Sequence, residues 1–266
     1  MIKKRLKGDY SFTYRPRRMS EVYGQEEIKK IITNGLNDGS LAKSLFFCGP
    51  SGTGKTTIAR IIAMGLNCEN GPTSEPCCDC EHCYPIFDGN SFSFWEYDAG
   101  YFSGVEKMRE TKGNFGAAPM NDDRYKIYLF DECHVLSTAA QTVLLKEIED
   151  GYQHVYFIFC STVTKNVLDT LLNRCMLLEF KEFESDDMWK LLLDICESEG
   201  VEPDLDVLDT IVKKAKGLPR NALFLLQGVV TAGKLKKIPK PIEKKIELVR
   251  SVFKGNSPEI TLDINP

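Results

Sequence analysis

Residues 49–56, Gly-Pro-Ser-Gly-Thr-Gly-Lys-Thr, fit the pattern G-x-x-x-x-G-K-[ST]. A loop of this kind can wrap a triphosphate with its backbone N–H groups, and Gly49, Gly52 and Gly54 admit oxygens that a Cβ would block. Lys55 is then placed to reach the β- and γ-phosphates, and the Thr56 hydroxyl to sit on Mg²⁺. Pro50, Ser51, Thr53 and Thr57 complete the candidate nucleotide loop. Further along, Ile127-Tyr128-Leu129-Phe130 run into Asp131 and Glu132. Phosphoryl transfer to water uses such a pair at a strand's end: Asp131 to hold the Mg²⁺ shell, Glu132 to orient and polarise the water. A strand capped by a solvated acidic pair is the plainer alternative.

A third group is Cys68, Cys77, Cys80 and Cys83, spaced C-x8-C-x2-C-x2-C. Two C-x2-C turns sharing a cysteine can converge thiolates on a tetrahedral zinc, with the longer loop returning the fourth ligand. Such a closed shell is structural and does no catalysis. Cys78 has the wrong spacing to replace Cys77 simply, and His82 is a possible substitute ligand. Because the insertion reads as local, ATP binding is expected to survive loss of the metal.

These groups need elements to hold them. Leu45 to Cys48 read as a buried strand entering the loop, and Ile58, Ile61, Ile62 and Leu66 place a helix behind it. Glu26–Leu36 and Thr138–Glu149 have helical spacing as well. Strands are expected at Phe94–Tyr97, ending at Asp98, then before Asp131, at Val155–Cys160 in the sheet centre, and at Met176–Phe180. Cys48 and Cys160 then read as ordinary core cysteines. Ser161 and Thr162 end the central strand, with hydroxyls facing the phosphate crevice. One histidine, His134, follows the acidic pair and reads as packing. A helix from Val167 to Leu172 leads to Asn173-Arg174-Cys175.

From Glu182 the pattern turns helical: one helix capped by Ser185, one over Asp206–Ala215, and one opening on Pro219. Arg220 lies in that last helix's first turn, where the macrodipole disfavours a cation; a bound phosphate, or a nearby acid, would relieve it. Residues 234–241 read as a linker, and Ile242, Ile246, Val249 and Phe253 as one amphipathic helix. The reading is thus an α/β nucleotide-binding domain at 1–181 with a zinc module at 67–84, a helical lid at 182–232, and a linker and tail at 233–266.

With 266 residues, 42% hydrophobic and 27% charged, the chain is composed like an ordinary soluble globular protein. No apolar run approaches the ~18 residues of a membrane span, so a cytoplasmic location with no membrane partner is expected. A net charge of −4 argues against broad nonspecific DNA coating but permits a local basic surface. Lys107, Arg109 and Lys112 are candidates for one, with a solvated helix face equally open. Ten cysteines in such a chain point to metal or burial before disulfides.

In this order the motifs resemble the ATPase subunits of sliding-clamp loaders, most closely the bacterial DNA polymerase III gamma/tau family, over residues 10–232. Tyr14-Arg15-Pro16, Gly24-Gln25, the P-loop, the cysteine insertion, Asp131-Glu132-Cys133-His134 and Asn173-Arg174-Cys175 carry the resemblance. It implies an AAA+ fold with a five-stranded parallel sheet and a three-helix lid, working with ATP, Mg²⁺ and Zn²⁺. It implies adenine contacts near Tyr14, Arg15, Pro16 and Val22. Thr162 matches the polar sensor on the fourth strand, Arg174 the arginine finger offered to a neighbour's ATP, and Arg220 the lid arginine that reads the γ-phosphate. The implied partners are a sliding clamp, other loader subunits in a hetero- or homo-oligomer, and primed DNA. Departures are Asn173 where the family has Ser, Thr142 where it has Asn, and no collar domain; a short form, as of a viral or mobile-element relative, and a chain cut before the collar both fit. Two other functions stay open: a replication scaffold using ATP and zinc as staples, and another AAA+ loader or remodeller.

Overall fold

In the computed structural model, residues 8–101, 105–233 and 235 are described. They fall into two compact units: residues 15–182, and the described parts of 1–14 with those of 183–266.

The larger unit is built on five parallel strands, β1 (Ser44–Cys48), β2 (Phe94–Asp98), β3 (Lys126–Asp131), β4 (Val155–Ser161) and β5 (Met176–Glu179), in the order β2-β3-β4-β1-β5. Strand side chains alternate between faces, and helices cover both, so every second residue feeds one of two cores. Leu45, Phe47, Ile127, Leu129, Tyr156, Ile158 and Cys160 join one core with Ile28, Ile32 and Leu36 of α2 (Glu26–Asn37) and Ile58, Ile61 and Ile62 of α3 (Lys55–Asn67). Phe46, Tyr128, Phe130, Phe157 and Phe159 join the other. There they meet Met108 of α5 (Val105–Lys112), Ala140 and Leu144 of α6 (Thr138–Asp150), and Leu171 of α7 (Asp169–Leu172).

Register is fixed by an aromatic row across four strands. Phe46 pairs with Phe159, Phe159 with Phe130, and Phe130 with Tyr97, at ring separations of 6.5, 5.5 and 5.4 Å. A one-residue slip would throw each ring to the opposite core. The row lies just inside the strands' C-terminal ends, where Cys48, Asp131, Ser161 and Asp98 emerge together.

The smaller unit holds α8 (Ser185–Glu199), α9 (Leu205–Ala215) and α10 (Pro219–Thr231), packed through Met188, Leu192, Ile195, Leu208, Ile211 and Leu226. A short helix, α1 (Tyr10–Thr13), belongs with them rather than with the sheet as the sequence suggested. The Tyr10 N–H donates to Gln227 at 3.1 Å, and the buried Tyr14 hydroxyl donates to Glu199. Two ends differ from expectation. Glu184, not Ser185, is the N-cap of α8, where Asp186 and Asp187 complement the helix dipole instead. Asp204 caps α9, accepting from the N–H groups of Asp206 and Val207. Among the described residues, no helix is long and apolar enough to cross a membrane. The amphipathic helix expected around 242–253 lies outside the described residues.

Candidate functional site

The loop between β1 and α3 is shaped by its glycines. Gly49 has φ +146°, and a Cβ there would stand 2.2 Å from the Phe180 carbonyl oxygen. Gly52, half-buried at the turn of the loop, has φ +83°, and Gly54, before the first turn of α3, has φ +105°. Both lie in the left-handed region, where an L side chain is strained, so the loop needs glycine at each. Between them Thr53 is buried, its hydroxyl donating to the Pro50 carbonyl at 2.8 Å and closing the loop on itself. Ser51 is exposed at the tip. No side chain caps the α3 N-terminus, so its first N–H groups remain available to an anion. Lys55 is 6% exposed, its ammonium donating to the carbonyls of Gly49 (2.6 Å) and Pro50 (2.9 Å). It forms no ion pair among the described residues, so this buried cation has no neutralising carboxylate. The donor set suits a polyphosphate.

Thr56, one residue into α3, donates from its hydroxyl to Asp131 Oδ2 at 3.2 Å. Asp131 Oδ1 accepts the Glu132 N–H at 2.9 Å. A hydroxyl and a carboxylate beside a phosphate cradle are the oxygen ligands that a hydrated Mg²⁺ takes. Glu132 leaves the strand with φ +50°, which turns its side chain out of the sheet. Its Oε2 lies 3.4 Å from His134 Nδ1, and that nitrogen lies 2.9 Å from the buried Ser161 hydroxyl. The sequence reading passed over His134 as packing. Neither its spacing nor its neighbours in the chain announce the contact, because Ser161 arrives from another strand. Thr162 directly follows β4 at the same sheet edge, half-buried.

The residues proposed as base contacts belong to both units. Tyr14 is buried in the helical unit against Tyr10 and Glu199. Arg15 and Pro16 begin the sheet unit, both half-buried, and Val22 packs into the α2/α3 core. Gln25 closes that segment beside the P-loop: its side chain donates to Lys181 O at 2.6 Å and accepts from Lys181 N at 3.2 Å.

The sulfurs of Cys68, Cys77, Cys80 and Cys83 lie within 4.8 Å of one another. Four thiolates on one zinc would sit about 3.8 Å apart, given Zn–S bonds of about 2.3 Å. Cys68 Sγ accepts the Cys77 N–H and Cys80 Sγ the Cys83 N–H, each at 3.4 Å, as thiolate ligands do. Burial raises the Cys80 thiol, but backbone hydrogen bonds from Glu69, Cys83 and His82 outweigh it and bring it down to about 7. Burial pushes Cys77 up to about 11 and Cys83 well above the usual thiol range. These residues fit zinc. Cys78, with φ +74°, turns its sulfur toward the carbonyls of Pro76 and Arg17, away from the cluster. His82 is engaged elsewhere, with Nδ1 2.7 Å from Asp123.

The module is not the self-contained insertion that the sequence suggested. Arg124 donates to the carbonyls of Leu66, Cys68 and Glu69, and the Asn67 side chain fastens the backbone of Arg124 and Tyr125 at the entrance to β3.

Arg174 follows α7 on the surface of the sheet unit. It pairs with Glu149 at 2.5 Å and donates to the Thr170 carbonyl at 2.8 Å. Arg220 is exposed in the first turn of α10 and lines a cavity of about 460 Å³ with Asp9, Ser11, Lys214, Asn221, Phe224 and Leu225. No acid pairs with it among the described residues.

Residues 24–184 match the family model described as DNA polymerase III, delta subunit. The chain belongs to this family. Among relatives, DNA polymerase III subunit gamma of Buchnera aphidicola subsp. Baizongia pistaciae is 36% identical over 221 residues, 83% of this chain and 60% of that protein. The gamma/tau subunit of Mycobacterium tuberculosis strain H37Rv is 37% identical over 215 residues, 80% of this chain and 37% of its own. The tau subunit of Bacillus subtilis is 34% identical over 226 residues, 85% and 40%. The chain therefore spans between about a third and three fifths of these relatives. A solved structure of the Thermotoga maritima RuvB Holliday junction branch migration motor superposes with TM-score 0.63 over 90% of this chain and 72% of that one, at 20% identity. The AAA+ fold expected from the motifs is the one the two share.

Within this DNA polymerase III family member, two of the three basic residues offered for DNA have partners within the chain. Lys112 Nζ lies 2.6 Å from Glu147, a carboxylate with no exposure that also accepts from the Tyr152 hydroxyl at 2.8 Å. Lys107 sits 3.6 Å above the Tyr101 ring. Arg109 stays exposed on α5.

Proposed function

We propose that this chain is an ATP-binding and ATP-hydrolysing subunit of a sliding-clamp loader, coupling ATP binding to clamp opening on primed DNA during replication. The observation that carries the reading is the conjunction of an unneutralised Lys55 in the P-loop with the Thr56–Asp131 contact at 3.2 Å and Glu132 beside it. Relatedness to DNA polymerase III gamma and tau subunits supports the replication context.

ATP would lie along Gly49–Thr57, with its phosphates on the backbone between Gly52 and Thr56, the α3 N-terminus and Lys55. Thr56 and Asp131 would hold Mg²⁺, which supplies charge neutralisation at the transferring phosphoryl group. Glu132 orients and deprotonates the attacking water, with His134 Nδ1 3.4 Å from that carboxylate and committed to the Ser161 hydroxyl. Thr162 reads the γ-phosphate from the end of β4. Arg220 does so from the lid, and Arg174 completes a neighbouring subunit's site. Zinc on Cys68, Cys77, Cys80 and Cys83 is structural. The partners are a sliding clamp, further loader subunits and primed DNA, in the cytoplasm.

Separating binding from turnover tests the site. Lys55→Ala should abolish ATP affinity, because it removes the charge that compensates the triphosphate. Glu132→Gln should bind ATP like the parent and turn it over at least 10²-fold more slowly, on the scale of a lost general base. Equal turnover in parent and Glu132→Gln would refute the assignment.

A further inference from the structure

Residues 17–25 form a strap running from the cysteine module to the flank of the P-loop. At the module end, the Arg18 guanidinium donates to the carbonyls of Pro76 (3.0 Å) and Cys77 (3.1 Å), so it grips the backbone of a metal ligand directly. The Met19 N–H donates to Ser74 O at 3.1 Å. Ser20 gives both its N–H and its hydroxyl to the Glu75 carboxylate, at 2.8 and 2.6 Å. Arg17 lies 3.6 Å above the ring of Phe87, in the short helix α4 (Cys83–Asp88) that the last ligand opens. At the other end, Gln25 holds Lys181 through two hydrogen bonds. The preceding residue, Phe180, donates to Cys48 O at 2.7 Å and puts its carbonyl where a Cβ of Gly49 would be. Met19 and Val22 are buried between, in the same core as Ile58 and Ile62 of the P-loop helix.

We propose that the four-cysteine module anchors this strap, with Arg18 as the positioning residue, so that metal occupancy of Cys68, Cys77, Cys80 and Cys83 sets how tightly the chain holds nucleotide at the P-loop. The proposal rests on the nucleotide reading above. It departs from the expectation that the insertion is local. The carbonyls of Pro76 and Cys77, the Ser74 carbonyl and the Glu75 side chain all belong to the loop that runs from the first ligand to the second. Four thiolates closed on one ion fix that loop; four free thiols leave its backbone to fluctuate, and the strap loses its fixed partners. A strap that must be ordered when nucleotide binds lowers apparent affinity by the fraction of time it is out of place. Coupling between sites in proteins typically amounts to roughly 5–150-fold, and about tenfold is expected here.

The test measures the dissociation constant for ADP and for ATP with Mg²⁺ on the full chain, together with zinc content and amide exchange over 17–25. Arg18→Ala should keep its zinc and its maximal turnover yet bind nucleotide about tenfold more weakly, with faster exchange over 17–25. Glu75→Ala should move in the same direction to a smaller extent, and Arg18→Lys, which keeps one donor nitrogen in place of the two the guanidinium uses, should recover part of the loss. Cys80→Ser should lose the metal and weaken binding to a similar degree, and adding Arg18→Ala to it should weaken binding no further. Zinc-loaded Arg18→Ala with parental affinity and exchange would overturn the proposal, as would fully additive losses in the double variant. A parent chain that binds no nucleotide would instead overturn the function reading on which it rests.

Discussion

Replacing Arg174 by alanine should separate ATP binding from assembly-dependent hydrolysis. In the single chain this guanidinium is held by Glu149 at 2.5 Å and by the Thr170 carbonyl at 2.8 Å. The paired side chains are 39% and 50% exposed, and exposed ion pairs contribute roughly 0.2–1 kcal/mol. Releasing Arg174 to reach a neighbour's γ-phosphate therefore costs about 1 kcal/mol at most, less than a factor of ten in rate. An arginine finger acting in trans contributes about 10³–10⁵ in rate, equivalent to about 4–7 kcal/mol, so the intermolecular role outweighs the local pair. Arg174→Ala should leave ATP affinity within about twofold, since the whole P-loop lies on other elements, while lowering the assembly-dependent rate by about 10³ or more. Glu149→Gln, which frees the arginine, should raise that rate by no more than severalfold. The assay is steady-state ATP hydrolysis across protein concentration, with and without partner subunits. Mixing Arg174→Ala with Lys55→Ala chains should partly restore activity at interfaces that combine an intact P-loop with an intact finger. A specific activity flat across concentration and indifferent to Arg174→Ala would refute the shared site and leave Arg174 as a surface partner of Glu149.

Other expectations concern metal and stability. Purified without chelator or oxidant, the protein should carry one zinc per chain; Cys80→Ser should lose it and Cys78→Ser keep it, as metal analysis would report. Lys112→Met strands the fully buried Glu147, leaving it only the Tyr152 hydroxyl among the described residues, and should destabilise the chain by about 3 kcal/mol. In a chain of this size that is a fall of about 6–12 °C in melting temperature. An unchanged midpoint would refute this role for the Lys112–Glu147 pair.

Much of this was legible in the sequence because it depends on local pattern. The P-loop, with Gly49, Gly52 and Gly54 at the positions where the backbone takes positive φ, is contiguous, so spacing alone locates it. The buried strand before it and the apolar run into Asp131 are contiguous as well. The cysteine cluster is legible too, since both C-x2-C turns lie between Cys77 and Cys83. What escaped is whatever tertiary pairing decides. His134 meets Ser161 from another strand, and Lys112 finds Glu147 on another helix, so neither contact leaves a trace in the local pattern. The resemblance implies a base contact near Tyr14; the ring packs on Tyr10 and the hydroxyl reaches Glu199, 185 residues away, contacts that no local pattern announces. The reach of the cysteine module was missed for the same reason. Its anchors, Arg18, Ser20 and Arg124, are ordinary polar residues whose partners are mostly backbone carbonyls, and carbonyls carry no sequence signature.

The central claim, that this P-loop drives clamp loading, is tested most directly by the ATPase rate of the chain with its partner subunits, measured with and without sliding clamp and primed DNA. The account predicts slow turnover alone and a rise of at least about tenfold when clamp and primed DNA are both present, abolished by Lys55→Ala, Glu132→Gln or Arg174→Ala, on the scale expected of a lost catalytic group. A rate that ignores clamp and DNA, or one that survives Glu132→Gln, would contradict it.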